Sequence, residues 1–182
     1  MNKKKTISTG TLLYHSVHGL CRVDRVMNER EGGKDVLKCV LVPKIASKMK
    51  VRYVMPVADL ENSGFHEPVS VKGANEILDY LKVGDVSEHA EAITDVLTSF
   101  PTDYSLRTFA KTIRALSKNG LEIKDQRKRQ MLERSAKGLV GELSWTLQMP
   151  LKETVQKVCK SLGGRAKMNA VVLTALERAG ED

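Results

Sequence analysis

His15, His18 and Cys21 follow one another at intervals of three in Tyr14-His15-Ser16-Val17-His18-Gly19-Leu20-Cys21. Imidazole and thiolate are zinc ligands, and a cysteine beside a histidine is also the pairing of a nucleophile with its base. The spacing argues against both. In an extended chain, residues three apart point to opposite faces, so three ligands converge on one tetrahedral ion only through a tight loop. No CxxC pair supplies a supporting ligand set, and no neighbour has the pattern of a base held by an orienting carboxylate. Gly32-Gly33-Lys34 lacks the preceding spacing and the following helix of a phosphate-binding loop. His18-Gly19 therefore reads as a turn between two strands, with Leu13 and Val17 feeding a core. No metal, no cofactor and no catalytic residue is expected.

Charge is the other chemistry the chain carries. Its 30 Lys and Arg outweigh 22 Asp and Glu, for a formal charge of +8. Residues 111–140 hold Lys111, Arg114, Lys118, Lys124, Arg127, Lys128, Arg129, Arg134 and Lys137 against Glu122, Asp125 and Glu133, a local net charge of +6. Lys124, Arg127, Lys128 and Arg134 stand at helical spacings that predict one solvent-facing side opposite Leu132 and Leu139. Such a side attracts phosphates without reading sequence. A docking face for an acidic protein and a merely solvated surface are the other readings.

The elements that must position these groups change period near Pro68. From Gly10 to about Val69, short runs rich in Val, Leu and Tyr are broken by His18-Gly19, Gly32-Gly33, Pro43 and Asn62-Ser63-Gly64. Val51, Tyr53 and Met55 alternate with Lys50, Arg52 and Val54. Four or five short strands in that length predict a small antiparallel barrel, with Gly32-Gly33 as a hairpin turn. Afterwards the period is 3.6. Ile77, Leu78 and Leu81 make one stripe, and Ala90, Ile93, Val96, Leu97 and Phe100 make another behind a capping box at Asp85–Glu88. Leu106, Phe109, Ala110, Ile113 and Leu116 form a third, and Leu132, Ala136, Leu139, Val140, Leu143 and Leu147 a long fourth. Leu151, Val155, Val158, Cys159 and Leu162 precede Gly163-Gly164, and Met168, Val172, Ala175, Leu176 and Ala179 can form a last helix. The expected class is α+β: a small N-terminal barrel, then an all-helical domain. No apolar run approaches the roughly 18 residues of a membrane span. Cys21, Cys39 and Cys159, odd in number and far apart, suggest reduced thiols and a cytoplasmic setting. Residues 1–9 read as a basic arm.

Two stretches carry a family resemblance. Gly10-Thr-Leu-Leu-Tyr-His-Ser-Val-His-Gly-Leu-Cys-Arg-Val23 resembles the opening of the CarD/CdnL/TRCF RNA polymerase-interacting family, with Gly10, His18, Gly19 and Val23 in matching places and Leu13 for a valine. Met49 to Val57, with Pro56 in register, resembles a later strand. Arg127-Lys-Arg-Gln-Met-Leu-Glu-Arg-Ser-Ala-Lys-Gly-Leu-Val-Gly-Glu-Leu143 resembles the family's long C-terminal helix through Met131, Leu132, Leu139, Glu142 and Leu143, with Ser135 at an alanine position and Lys128-Arg129 as the basic entry. The resemblance spans residues 8–162.

That resemblance implies a Tudor-like barrel at 10–70 docking on the β subunit of bacterial RNA polymerase through Arg25, Arg30, Arg52, Tyr53 and Val54. It also implies a helical domain at 71–164 contacting promoter DNA, with 165–182 as a helical tail. The DNA-facing residues would be His89, Lys124, Arg127, Lys128, Arg129, Arg134 and Lys137. The protein would be a monomeric, cytoplasmic transcription regulator modulating open complexes, without membrane contact. The departures are His15-Ser16 in place of Tyr-Pro, Cys21 in place of a small residue, and Val54 where an arginine is common. The family's wedge tryptophan would fall near His89 or Ala90, and neither is one. The sole Trp145 lies on the long helix, turned from its main stripe, and reads as a groove filler. Loss of that wedge leaves a rival reading, an interaction module without direct DNA contact.

Overall fold

A computed structural model describes residues 7–44, 51–83, 105–117 and 122–181. Among these the protein is α+β, with a four-stranded antiparallel sheet and five helices. The chain divides into two compact units, Met1–Pro68 and Val69–Asp182.

In the first unit β1 (Leu12–His15), β2 (Gly19–Glu31), β3 (Lys34–Pro43) and β4 (Tyr53–Pro56) pair in the order β1-β2-β3-β4. Gly32 and Gly33 take φ of 56° and 82° between Glu31 and Lys34. A two-residue hairpin loop matched to strand twist needs such left-handed backbone, which glycine adopts without steric cost. Residues 28–37 run beyond the pairing of β1 and β4 as a two-stranded ribbon. A bulge between Val23 and Arg25 restores inward phasing, so that Val23 and Val26 both pack on the core despite their spacing of three.

Closure into a barrel, expected from the strand count, does not occur among the described residues. β1 and β4, four residues each, do not pair, and the sheet is open. The β1 edge takes one antiparallel bridge instead. Tyr14 N–H donates to the His66 carbonyl at 2.7 Å, and His66 N–H donates to the Tyr14 carbonyl at 3.0 Å. The core comprises Leu13, Cys21, Val23, Cys39, Leu41, Leu60 and Phe65. Val17, expected inside, is 56% exposed. It sits at the tip of the β1–β2 turn, where His15 is buried in its stead and its Nδ1 accepts the Val17 N–H at 3.0 Å.

The second unit holds α1 (Val71–Val83), α2 (Leu106–Leu116), α3 (Gln126–Leu147), α4 (Leu151–Ser161) and α5 (Ala170–Ala179). Ser105, Asp125 and Asn169 cap α2, α3 and α5 by accepting first-turn backbone N–H groups. The apolar stripes at 77–81, 106–116, 132–143 and 155–159 are buried in one core. Residues 165–182, set apart as a tail by the sequence reading, contribute Met168, Val172, Ala175, Leu176 and Ala179 to that core. Gly138 lets α2 approach α3 closely, since a Cβ there would lie 2.5 Å from the Phe109 ring. The helix expected behind Asp85 falls outside the described residues. No helix among them is long and apolar enough to cross a membrane.

Candidate partner and nucleic-acid interfaces

The histidine run is built into packing. The His15 ring lies 4.8 Å from Phe65 and stacks 4.4 Å from His18, whose ring lies 4.2 Å from Tyr53. His15 Nδ1 accepts from the backbone N–H of Val17 and of His18, and His18 Nδ1 is hydrogen-bonded to the Tyr53 hydroxyl at 3.0 Å. The rings fill the space among themselves. Burial pushes the Cys21 thiol up to about 11, and its Sγ lies 3.9 Å from the His18 carbonyl. A thiol so placed stays protonated near neutral pH and is a poor nucleophile. Cys39 and Cys159 are likewise free, buried and raised by burial. Among the described residues, no three His, Cys, Asp or Glu are grouped to hold a metal.

The residues expected at a polymerase interface do not share one surface. Arg25 pairs with Val40, which pairs with Val54, so Arg25 and Val54 stand on the same sheet face about 10 Å apart. Arg52, two residues before Val54, extends that face, and both are exposed. Arg30 pairs with Asp35 in the ribbon and, by alternation from Val26, points to the opposite face. Tyr53 turns inward to the core and the ring stack. The separation follows from the bulge and the pleat, which fix facing residue by residue. What remains is β4, an outer strand that displays Val54, with Arg52 exposed just ahead of it.

The basic cluster is also divided. Lys124 precedes α3 and pairs with Glu122 at 2.6 Å, so it is not on the helix face. Arg127, exposed, and Arg134, half-buried, lie seven residues apart on one face of α3; Lys128, also half-buried, is rotated off that face by about 100° from Arg127. Arg129 Nε donates to the Ile123 carbonyl at 2.9 Å, fastening the segment that enters α3. Arg114 donates to the Tyr80 carbonyl and lies over its ring at 5.3 Å, tying α2 to α1. Lys137 is exposed on α3, three residues beyond Arg134. The face expected from spacing thus reduces to Arg127, Arg134 and Lys137. The local charge stays positive, with no acidic residue in the first turn of α3. His89 lies outside the described residues. Trp145 is partly buried on α3.

Two features escaped the sequence reading. Glu142, counted as a motif position, is fully buried and accepts the Val69 N–H at 3.0 Å, while the Thr146 hydroxyl donates to the Val69 carbonyl at 3.4 Å. A lone carboxylate within an apolar helical stripe was the available signal. The second is a run of exposed basic residues from Lys152 to Lys167, visible as charge count alone. No protein-family model matches this chain, and no curated protein matches it.

Proposed function

We propose that the protein is a non-enzymatic bacterial transcription regulator, active in the cytoplasm as a monomer without a cofactor. Its N-terminal unit, an open Tudor-like sheet, docks on the RNA polymerase β subunit, and its helical unit meets promoter DNA through phosphate contacts that modulate open-complex formation or stability. The single observation that carries the reading is the outer strand β4, four residues long, with Val54 exposed on it and Arg52 exposed just ahead of it. An outer strand offers backbone donors and acceptors to an extended partner segment, and the displayed side chains then set specificity. The order β1-β2-β3-β4 and the His66 bridge support the Tudor-like description, and the family resemblance supports the partner. The basic residues of α3 support the DNA half.

The test uses the full chain and purified polymerase β subunit. Arg52→Glu with Val54→Glu should weaken binding by about tenfold or more, as for loss of a central contact, while the circular dichroism spectrum stays native. Unchanged binding by a folded double variant removes the edge from the reading.

A further inference from the structure

We propose that the outer face of α4 and the turn following it form a second phosphate-binding surface, engaging the backbone of duplex DNA; this rests on the reading that the helical unit meets DNA. α4 turns Thr154, Val155, Val158 and Cys159 inward, and all four are buried. Lys152, Gln156, Lys157 and Lys160 face outward and are exposed. The helix ends at Ser161, and Gly163 and Gly164, with φ of 90° and 93°, redirect the chain so that Arg165 and Lys167 follow, also exposed. Residues 151–170 thus hold five basic side chains and one acidic, Glu153. Arg165 pairs with Glu177 at 3.1 Å. Lys152, Lys157, Lys160 and Lys167 form no ion pair among the described residues.

Helix electrostatics do not explain the arrangement. A cation in the last turn, Lys160, suits the helix dipole; Lys152 in the first turn opposes it, and Lys167 lies beyond its reach. The chemistry of the surface selects its occupant. Protein-binding hot spots centre on Trp, Tyr and Arg; this face exposes no aromatic side chain, and its one arginine, Arg165, is paired with Glu177. A helix lying on a membrane buries its apolar face in lipid, but the apolar face of α4 is already in the core. Lysines on a surface without competing apolar groups suit phosphates, each as a point charge. Lys152 and Lys160, eight residues apart, are separated by about 12 Å along the helix, or about three to four nucleotide steps of B-form DNA.

The experiment measures binding of a labelled DNA duplex by fluorescence anisotropy across a salt series. It compares the full chain with Lys157→Gln/Lys160→Gln/Lys167→Gln and, in parallel, with Arg127→Gln/Lys137→Gln. The triple variant should lower the slope of log K against log salt by about 2.7, at 0.9 per lost phosphate contact, and weaken binding by about tenfold or more at low salt. Its thermal melt should match wild type. A folded triple variant with unchanged slope and affinity overturns the proposal. Loss confined to the α3 variant overturns it while the wider DNA reading stands. Loss confined to the α4 variant upholds it and removes the α3 assignment. A wild-type chain that ignores the duplex at low salt, or prefers phosphatidylserine vesicles or an acidic peptide, overturns it too.

Discussion

The β unit encloses a core of seven described residues beside a stack of four rings, whereas the helical unit buries twenty-three. The difference governs how each unit handles polar groups. The small core leaves little apolar area, so His15 and Tyr53 serve as packing and their nitrogen and hydroxyl groups are hydrogen-bonded locally. The larger core tolerates a fully buried carboxyl, Glu142, because it has a backbone donor to receive. Ion pairing differs between two local stretches. On the ribbon, Lys38 is held by Glu29 at 2.8 Å and by Glu31, so opposite charges cancel within one hairpin. On α4 the lysines stand without such partners.

The sharpest way to break this comparison is to cut both cores equally. Leu41 and Leu139 are both fully buried. Leu41→Ala and Leu139→Ala should each cost about 2–5 kcal/mol. In the β unit that loss should exceed what a small core holds in reserve, and its amide signals should collapse. The helical unit should stay folded with a lower urea midpoint, read through the fluorescence of the sole Trp145. Dispersed β-unit signals in Leu41→Ala, beside an unfolded helical unit in Leu139→Ala, would invert the comparison.

A finer cut tests whether the buried carboxyl is a true tether. Glu142→Leu leaves the Val69 N–H without this acceptor and should cost about 1–3 kcal/mol, whereas Glu142→Gln retains an acceptor oxygen and should lose less than about 1 kcal/mol. Urea titrations of the two variants decide it. Equal losses would mean that the position matters for volume and not for the bond to Val69.

Much of this fold was legible because it is local. Gly32-Gly33 announced a turn since a two-residue loop needs backbone that glycine adopts freely, and the helical stripes announced a core since their period is fixed by the helix. What was not legible depends on partners distant in sequence or on the phase of one residue. Val17 fits an alternating pattern, yet the bonds from His15 Nδ1 hold it at a turn tip. Barrel closure could not be read from strand count, because β1 and β4 each pair on one side only and His66 takes part of the β1 edge. Lys124 and Arg129 looked like members of one binding face. Whether helix begins before or after Asp125, and whether Arg129 bonds back to Ile123, decided otherwise. The α4 surface was missed because its basic residues are spread across a helix end and a turn, not concentrated in one run.

The smallest expected effect probes the start of α3, where three basic residues, Arg127, Lys128 and Arg129, occupy the end of a helix whose dipole disfavours cations. Asp125 offsets them. Its Oδ1 accepts the N–H of Arg127 at 2.7 Å and of Lys128 at 3.1 Å, and the backbone donor of Lys128 above all holds the carboxyl below its usual range. A carboxyl lowered in the folded state stabilises it above the unfolded value, near 3.9, and that contribution fades as pH falls through the unfolded value toward the folded one. Wild type should therefore melt higher than Asp125→Ala at pH 7, with the gap narrowing between about pH 5 and pH 3. Asp125→Asn keeps an acceptor without a titrating charge, so its melting temperature should lie between the two at pH 7 and show less of this acid dependence. A wild-type-to-alanine gap of equal size at pH 7 and pH 3 would show that the ionised carboxyl does not steady this helix end. The basic entry would then be held by the Arg129–Ile123 bond and the core beneath it.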